Sequence, residues 1–193
     1  MDKENNMEKI KILALFGESG VGKNTILNWI VSNIPDTNEI VGCTTRPRRE
    51  YEQDGKDYHF LTVEEFAQKV IDGSMLEATC FNNWHYGTAL DELDPKKINV
   101  GIFNIQGIEC LLEDSRLHVI PVYVLVGDKE RLIRILNRET EPNCLEICRR
   151  FQTDYQDFSD IPFSYKGINN NGAAINRDKV KQNQVKALLS LFD

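Results

Sequence analysis

Apolar residues recur along this chain in two rhythms, and the alternation between them predicts an architecture. From Ile10 to Phe16 every residue but Lys11 is apolar, and the run stops at Gly17. From Thr25 to Ile34, Ile26, Leu27, Ile30 and Ile34 fall at the spacing of one helix face. The pair reads as strand, glycine turn, helix. Ile40 to Cys43 reads as a second short strand, followed by a polar, arginine-bearing stretch to Asp57 and a small strand at Tyr58 to Leu61. Thr62-Val-Glu-Glu65 supplies a capping box for a helix running to about Asp72, and Met75 to Phe81 and Trp84 to Tyr86 look extended. Val100 to Phe103 and Val119 to Val126 are near-continuous apolar runs, as expected of strands buried on both faces of a parallel sheet. Helices are expected at about Gln106 to Leu112, Lys129 to Leu136, Cys144 to Phe158 and Asp178 to Leu191, with a last strand near Ser164 to Ile168. Strands alternating with helices predict an α/β fold, a central parallel sheet with helices on both faces.

Composition narrows this to one domain: 193 residues with 41% hydrophobic and 27% charged content can bury a single sizeable core. Met1 to Glu8 is a polar lead-in, and the domain is expected to begin near Lys9. The apolar run at Ile10 is far too short for a membrane span or a signal segment, so no membrane partner and a cytosolic location are expected. Five cysteines, Cys43, Cys80, Cys110, Cys144 and Cys148, form no CxxC and read as reduced thiols. The formal charge of −7 argues against gripping a nucleic-acid backbone. Any anionic ligand must therefore be held by a local cluster.

One such cluster is Gly17-Glu-Ser-Gly-Val-Gly22-Lys23-Asn24-Thr25, a G-x-x-x-x-G-K match lying between a strand and a helix. Glycines let consecutive backbone N–H groups turn inward around a phosphate, the helix N-terminus adds its positive end, and Lys23 reaches the outer phosphates. Gly17, Ser19, Gly20, Val21, Gly22, Lys23, Asn24 and Thr25 are accordingly the candidate ATP-binding set. The hydroxyl residue that usually follows the lysine and touches Mg²⁺ is Asn24 here, so the candidate metal ligand is its amide oxygen or the hydroxyl of Thr25.

A second cluster runs from Thr44-Thr-Arg46-Pro-Arg-Arg49-Glu-Tyr-Glu52 through Gly55-Lys-Asp57-Tyr58-His-Phe60. Paired guanidiniums and a phenol suit a dianionic phosphate monoester, although the residues alone would equally make a solvated charged loop. The stretch resembles guanylate kinases, whose pattern T-T-R-x-P-R-x-G-E-x-x-G-x-D-Y-x-F overlies it without a gap, with the proline and first glycine replaced by Arg48 and Tyr51. The resemblance extends from about Ile10 to Gly172 and implies a P-loop kinase fold in which ATP, with Mg²⁺, phosphorylates a purine monophosphate. It implies that Arg46, Arg49 and Tyr58 bind the acceptor phosphate, as does Tyr86, and that Glu77 and Thr88, beside Gly87, read the base. A carboxylate such as Glu77 suits guanine because it can accept from the N1–H and the exocyclic amine together. Three positions depart from the family: Gly42 stands for a serine, and Ile102 and Asn104 replace two acids. Asn104 remains a candidate base contact, and each base donor left unsatisfied would cost about 1–3 kcal/mol.

Arg134 and Arg138 are four apart on a predicted helix and so share a face, though Glu130 could simply pair with Arg134. A polar segment, Glu139 to Asn143, separates them from Arg149 on the next helix. The three resemble the family's lid arginines, which implies that with Lys23 they stabilise charge during phosphoryl transfer. Asn170 resembles an asparagine near the adenine, and an Asn-Gly turn explains it as well. The implied layout is one guanylate kinase-like domain: core about 9–41, 94–133 and 151–193, acceptor region about 42–93, lid about 134–150. A monomer or homodimer is expected. Two alternatives stay open: a kinase with another acceptor (another or modified purine monophosphate, or ribose 1,5-bisphosphate) and a non-catalytic binding module of the same fold.

Overall fold

The computed structural model describes residues 8–50, 52–81, 83–138 and 141–192. Met1 to Met7 of the lead-in, Tyr51 of the arginine loop and Glu139 and Thr140 of the lid connection lie outside the described residues.

The first apolar run is strand β1 (Ile10–Phe16), and it is central in a five-stranded parallel sheet. Across that sheet the strands are β2 (Thr37–Glu39), β7 (Ile98–Ile102), β1, β8 (Leu117–Leu125) and β9 (Lys166–Asn169). Because successive side chains of β1 point to opposite faces, its unbroken apolar run fills two cores at once. Leu13 and Leu15 pack with Ile26, Leu27 and Ile30 of helix α1 (Lys23–Asn33) and with Val185 and Leu189 of helix α6 (Lys179–Leu189). Ile12, Ala14 and Phe16 pack on the other face with Ile108 and Leu111 of helix α3 (Ile105–Glu113) and with Tyr123. Phe16 stacks on Tyr123 at 5.1 Å, and Phe158 stacks on Tyr123 at 5.7 Å. That column pins the end of helix α5 (Cys144–Asp157) to the sheet.

The chain leaves β1 toward β2 on one side and later adds β8 on the other, so the carboxyl end of β1 is a switch point. In open α/β sheets the crevice for a ligand lies at such a point. Here that end runs into Gly17.

A second sheet is built entirely from residues 43–89: β4 (His59–Phe60), β3 (Cys43–Thr44), β6 (Trp84–Ala89) and β5 (Met75–Phe81), in that order. Helix α2 (Val63–Ile71) begins with the predicted capping box, Thr62 accepting from the Glu65 amide and Glu65 accepting from the Thr62 amide. Its Phe66 packs on Cys43 and Ala89. The expected strand over Ile40 to Cys43 is instead divided between the two sheets. The Ile40 amide makes the last bond to β7, at the Val100 carbonyl, and the Val41 amide is taken by a Glu92 carboxylate oxygen. The other oxygen of Glu92 lies 2.9 Å from His59 Nε2 of β4, so one carboxylate on the segment leaving the small sheet ties down both the segment entering it and an edge strand. Helix α4 (Asp128–Leu136) and α5 complete the fold.

Leu15 is fully buried on the central strand. Leu15→Ala should therefore cost about 3 kcal/mol of unfolding free energy, read as a lower urea midpoint with an unchanged slope.

Candidate active site

The loop between β1 and α1 turns through left-handed glycines. Gly20 has φ +83° and Gly22 φ +90°, and a Cβ on either would meet Ile135 or the Asn170 amide at under 3 Å. Gly22 caps α1 without any side-chain hydrogen bond, and no acidic residue sits in the first turn. The amides of that turn are thus left for a ligand, with the helix dipole behind them. The loop is held elsewhere by its carbonyls. Val21 O accepts from Asn170 Nδ2 at 2.7 Å and from Arg134 at 3.3 Å, and Arg134 also donates to Asn170 O at 2.7 Å and pairs with Glu130. Asn170 and Arg134 therefore brace the back of the loop. Lys23 Nζ folds onto the Gly17 and Glu18 carbonyls at 2.6 and 3.0 Å. Burial lowers its pKa to about 8 against the opposing pull of Asp154 and Glu18, with Arg138 adding to the depression. A bound polyphosphate would reverse that loss. Asn24 and Thr25 are exposed on the first turn of α1.

A cavity of about 900 Å³ opens from this loop. Gly17, Ser19 and Lys23 line one end, Arg46, Arg49, Tyr58 and Tyr86 the other. Glu77, Gly87, Thr88, Gly42, Ile102 and Asn104 lie along it, and Arg149 and Arg150 of α5 form a further wall. Of the three predicted lid arginines, Arg149 reaches the wall, held by Glu146 at 2.7 and 2.9 Å.

At the far end Arg46 makes a bidentate pair with Glu52, at 2.8 and 3.1 Å, and its guanidinium lies 5.7 Å from the ring centres of both Tyr58 and Phe60. Glu52 also accepts the Arg49 amide at 2.8 Å and sits 3.6 Å from the Arg49 guanidinium. Burial alone would raise its pKa, but the Arg46 hydrogen bond and the Arg49 amide outweigh that and hold it below the usual carboxylate range. Glu52 thus aligns both guanidiniums. Sequence reasoning gave it no role, although it is the glutamate of the quoted pattern. Burial pushes the Tyr58 phenol up to about 12, which keeps it a proton donor at any working pH.

Along the wall Glu77 is 8% exposed, and its Oε1 accepts from Thr88 Oγ1 at 2.9 Å. Burial raises its pKa to about 7 despite that bond. Asn104 caps α3 by accepting the Gly107 amide at 2.6 Å and donates to Thr79 Oγ1 at 2.8 Å. Both ends of its amide are thereby engaged, while Glu77 presents a buried carboxylate to the cavity. Two further residues had no sequence signal beyond their charge. Arg131 and Asp154 are 2% and 8% exposed, pair at 2.9 Å, and Asp154 also accepts the Ser19 amide at 2.8 Å. Among the described residues no cluster of three or more His, Cys, Asp or Glu could hold a metal ion.

Replacing Glu52 with Gln should destabilise the fold by about 1–3 kcal/mol at neutral pH. Since its folded pKa is depressed, its contribution is present above the unfolded carboxylate range and fades as the pH falls through its own lower value. Urea midpoints of wild type and variant should therefore begin to converge as the pH falls below the unfolded glutamate value of about 4.3.

Comparison with known proteins sets these features in a family. The sequence model of guanylate kinases matches residues 9–182. Guanylate kinase from Thermotoga maritima is 30% identical over 169 residues, spanning 84% of this chain and 81% of that protein. Guanylate kinase from Helicobacter pylori is 32% identical over 155 residues, spanning 70% of this chain and 75% of that protein. The crystal structure of guanylate kinase from Anaplasma phagocytophilum superposes with a TM-score of 0.66 over 94% of this chain and 87% of that one, at 20% identity.

Proposed function

The chain belongs to the guanylate kinase family, and from that membership we propose that it moves the γ-phosphoryl group of ATP to GMP or dGMP. The observation that carries the reading is the single cavity with an amide-lined loop at one end and an arginine–tyrosine cluster at the other. Two anion sites facing each other across one space are what in-line transfer between two nucleotides requires.

In this reading Arg46, Arg49, Tyr58 and Tyr86 hold the acceptor phosphate, and Glu77 takes the N1–H and exocyclic amine of guanine with Thr88 beside it. Asn104 acts on the base through the shape of the wall. The loop amides and Lys23 hold the ATP phosphates. Transfer needs no protein nucleophile, only alignment, neutralised charge and the exclusion of water. Arg149 supplies charge from the wall, and Arg134 of α4 and Arg138, in the turn just past its end, add to it as the lid segment, about 134–150, closes against the acceptor region, about 42–93. Asn170 serves by bracing the loop at Val21. Asn24 and Thr25 offer neutral, hard oxygen donors, which fits a Mg²⁺ ion held mainly by phosphate oxygens and water. When bound, that ion supplies neutralisation of charge between the outer phosphates. Among the described residues no helix is long and apolar enough to cross a membrane. The five cysteines are free, which supports a reducing compartment such as the cytosol.

A coupled ADP-release assay over the common ribo- and deoxyribonucleoside monophosphates should give the highest turnover with GMP and dGMP. Arg46→Ala and Lys23→Met should each lose at least about 100-fold in kcat/KM. Absence of turnover with every purine monophosphate would overturn the reading.

Binding of GMP should also depend on the ionisation of Glu77. Its pKa of about 7 in the free protein means that below this value the carboxyl must lose a proton to accept both guanine donors. The Kd for GMP should rise about five- to tenfold from pH 7 to pH 6. Glu77→Gln should bind weakly and retain only the titration of the phosphate monoester itself, near pH 6.

A further inference from the structure

The reaction proposed above gives no role to the Arg131–Asp154 pair, whose carboxylate lines the cavity. It is also the most buried ion pair there. Arg131 is 2% exposed, with its guanidinium 3.9 Å above the Phe151 ring, and it is held on α4 while Asp154 projects from α5. The burial of the pair is by itself weak evidence for a structural role, since such pairs are often replaceable by apolar residues without loss. Where the carboxylate ends up is more informative. Its Oδ2 accepts the backbone N–H of Ser19 at 2.8 Å, within the G-x-x-x-x-G-K loop and on the wall of the cavity.

A carboxylate on that amide uses the chemistry by which the loop takes a phosphate oxygen: an anionic acceptor on a backbone donor beside a lysine. Asp154 is close enough to Lys23 to raise its affinity for a proton, yet Lys23 bonds to the Gly17 and Glu18 carbonyls. The carboxylate and an ATP polyphosphate would compete for the same donor and repel each other across a poorly solvated gap. Arg131 neutralises the carboxylate from behind while it stays in place.

We propose that Asp154 is a placeholder on the phosphate loop: its carboxylate occupies the Ser19 amide in the nucleotide-free protein, and a phosphate group of ATP takes that amide from it. This rests on the ATP reading above. The exchange reports the arrival of ATP to α5, the helix that also carries Arg149 into the cavity. Asp154 is in this sense a positioning residue that acts through Ser19. Its displacement subtracts from the intrinsic affinity of the loop for ATP, as any conformational change required for binding does.

Isothermal titration of Mg²⁺–ATP, without an acceptor nucleotide, tests this on wild type and Asp154→Asn. The amide oxygen of the variant can still accept from Ser19 and Arg131, but its negative charge is gone. The variant should bind ATP about tenfold more tightly, a coupling of ordinary size, while its affinity for GMP stays within about twofold of wild type. A purely structural role would leave ATP binding unchanged or weaken both nucleotides. A folded variant with unchanged or weaker ATP affinity overturns the proposal. If Asp154→Asn does not fold, the double variant Arg131→Met with Asp154→Asn removes both charges and carries the same expectation. Wild type that binds no ATP would sink the ATP reading itself and this inference with it, whereas wild type that binds ATP as tightly as the variant sinks the inference alone.

Discussion

Everything in this molecule's cleft depends on one requirement: the backbone amides after β1 must be presented to an anionic acceptor while the loop that carries them stays fixed. Peptide groups buried without partners are costly, so a loop of this kind is stable only if its other polar groups are satisfied from behind. The carbonyls of Gly17, Glu18 and Val21 are all taken, by Lys23, Asn170 and Arg134. Two left-handed glycines give the turn its hand, and the sheet supplies the rigid end from which it starts. The parallel sheet and its two apolar faces can be understood as the mounting for that short piece of backbone.

Charge follows the same logic of partners held in readiness. The chain carries a net −7, yet the cleft gathers arginines, and they stand against carboxylates: Arg46 with Glu52, Arg134 with Glu130, Arg149 with Glu146, Arg131 with Asp154. These pairs fix the direction of each guanidinium before any ligand comes. They differ in how firmly they do so. Glu52 is sequestered and bidentate, so it orients Arg46 for a second anion without leaving, whereas the Arg149 pair is largely exposed and easily exchanged.

The sequence made the sheet legible because burial on both faces removes alternation, and a continuous apolar run such as Val119 to Val126 has little other use. Helix starts were equally plain where capping chemistry is local, as at Thr62. The strand expected over Ile40 to Cys43 was misplaced because propensity cannot report that a chain changes sheets; that is decided by Glu92, beyond the far end of the small sheet in sequence. In the cleft, motif spacing picked out the loop lysine, and the family resemblance picked out Arg46, Arg49 and Glu77, all of which line the cavity. Neither could show that Asn104 is engaged by Gly107 and Thr79, that Arg134 and Asn170 face the back of the loop, or that Asp154 reaches Ser19 across the interval between two helices. Such contacts join residues far apart in sequence with no spacing rule between them.

The small sheet lies wholly within residues 43–89, and Glu92, on the segment that leaves it, binds the entering segment at the Val41 amide with one oxygen and His59 of β4 with the other. Entry and exit are therefore side by side on the rim of the large sheet. A region attached in that way is an interchangeable cassette: its part of the cavity lining can be redrawn, by drift or by design, while the loop after β1 and its mounting keep the same backbone.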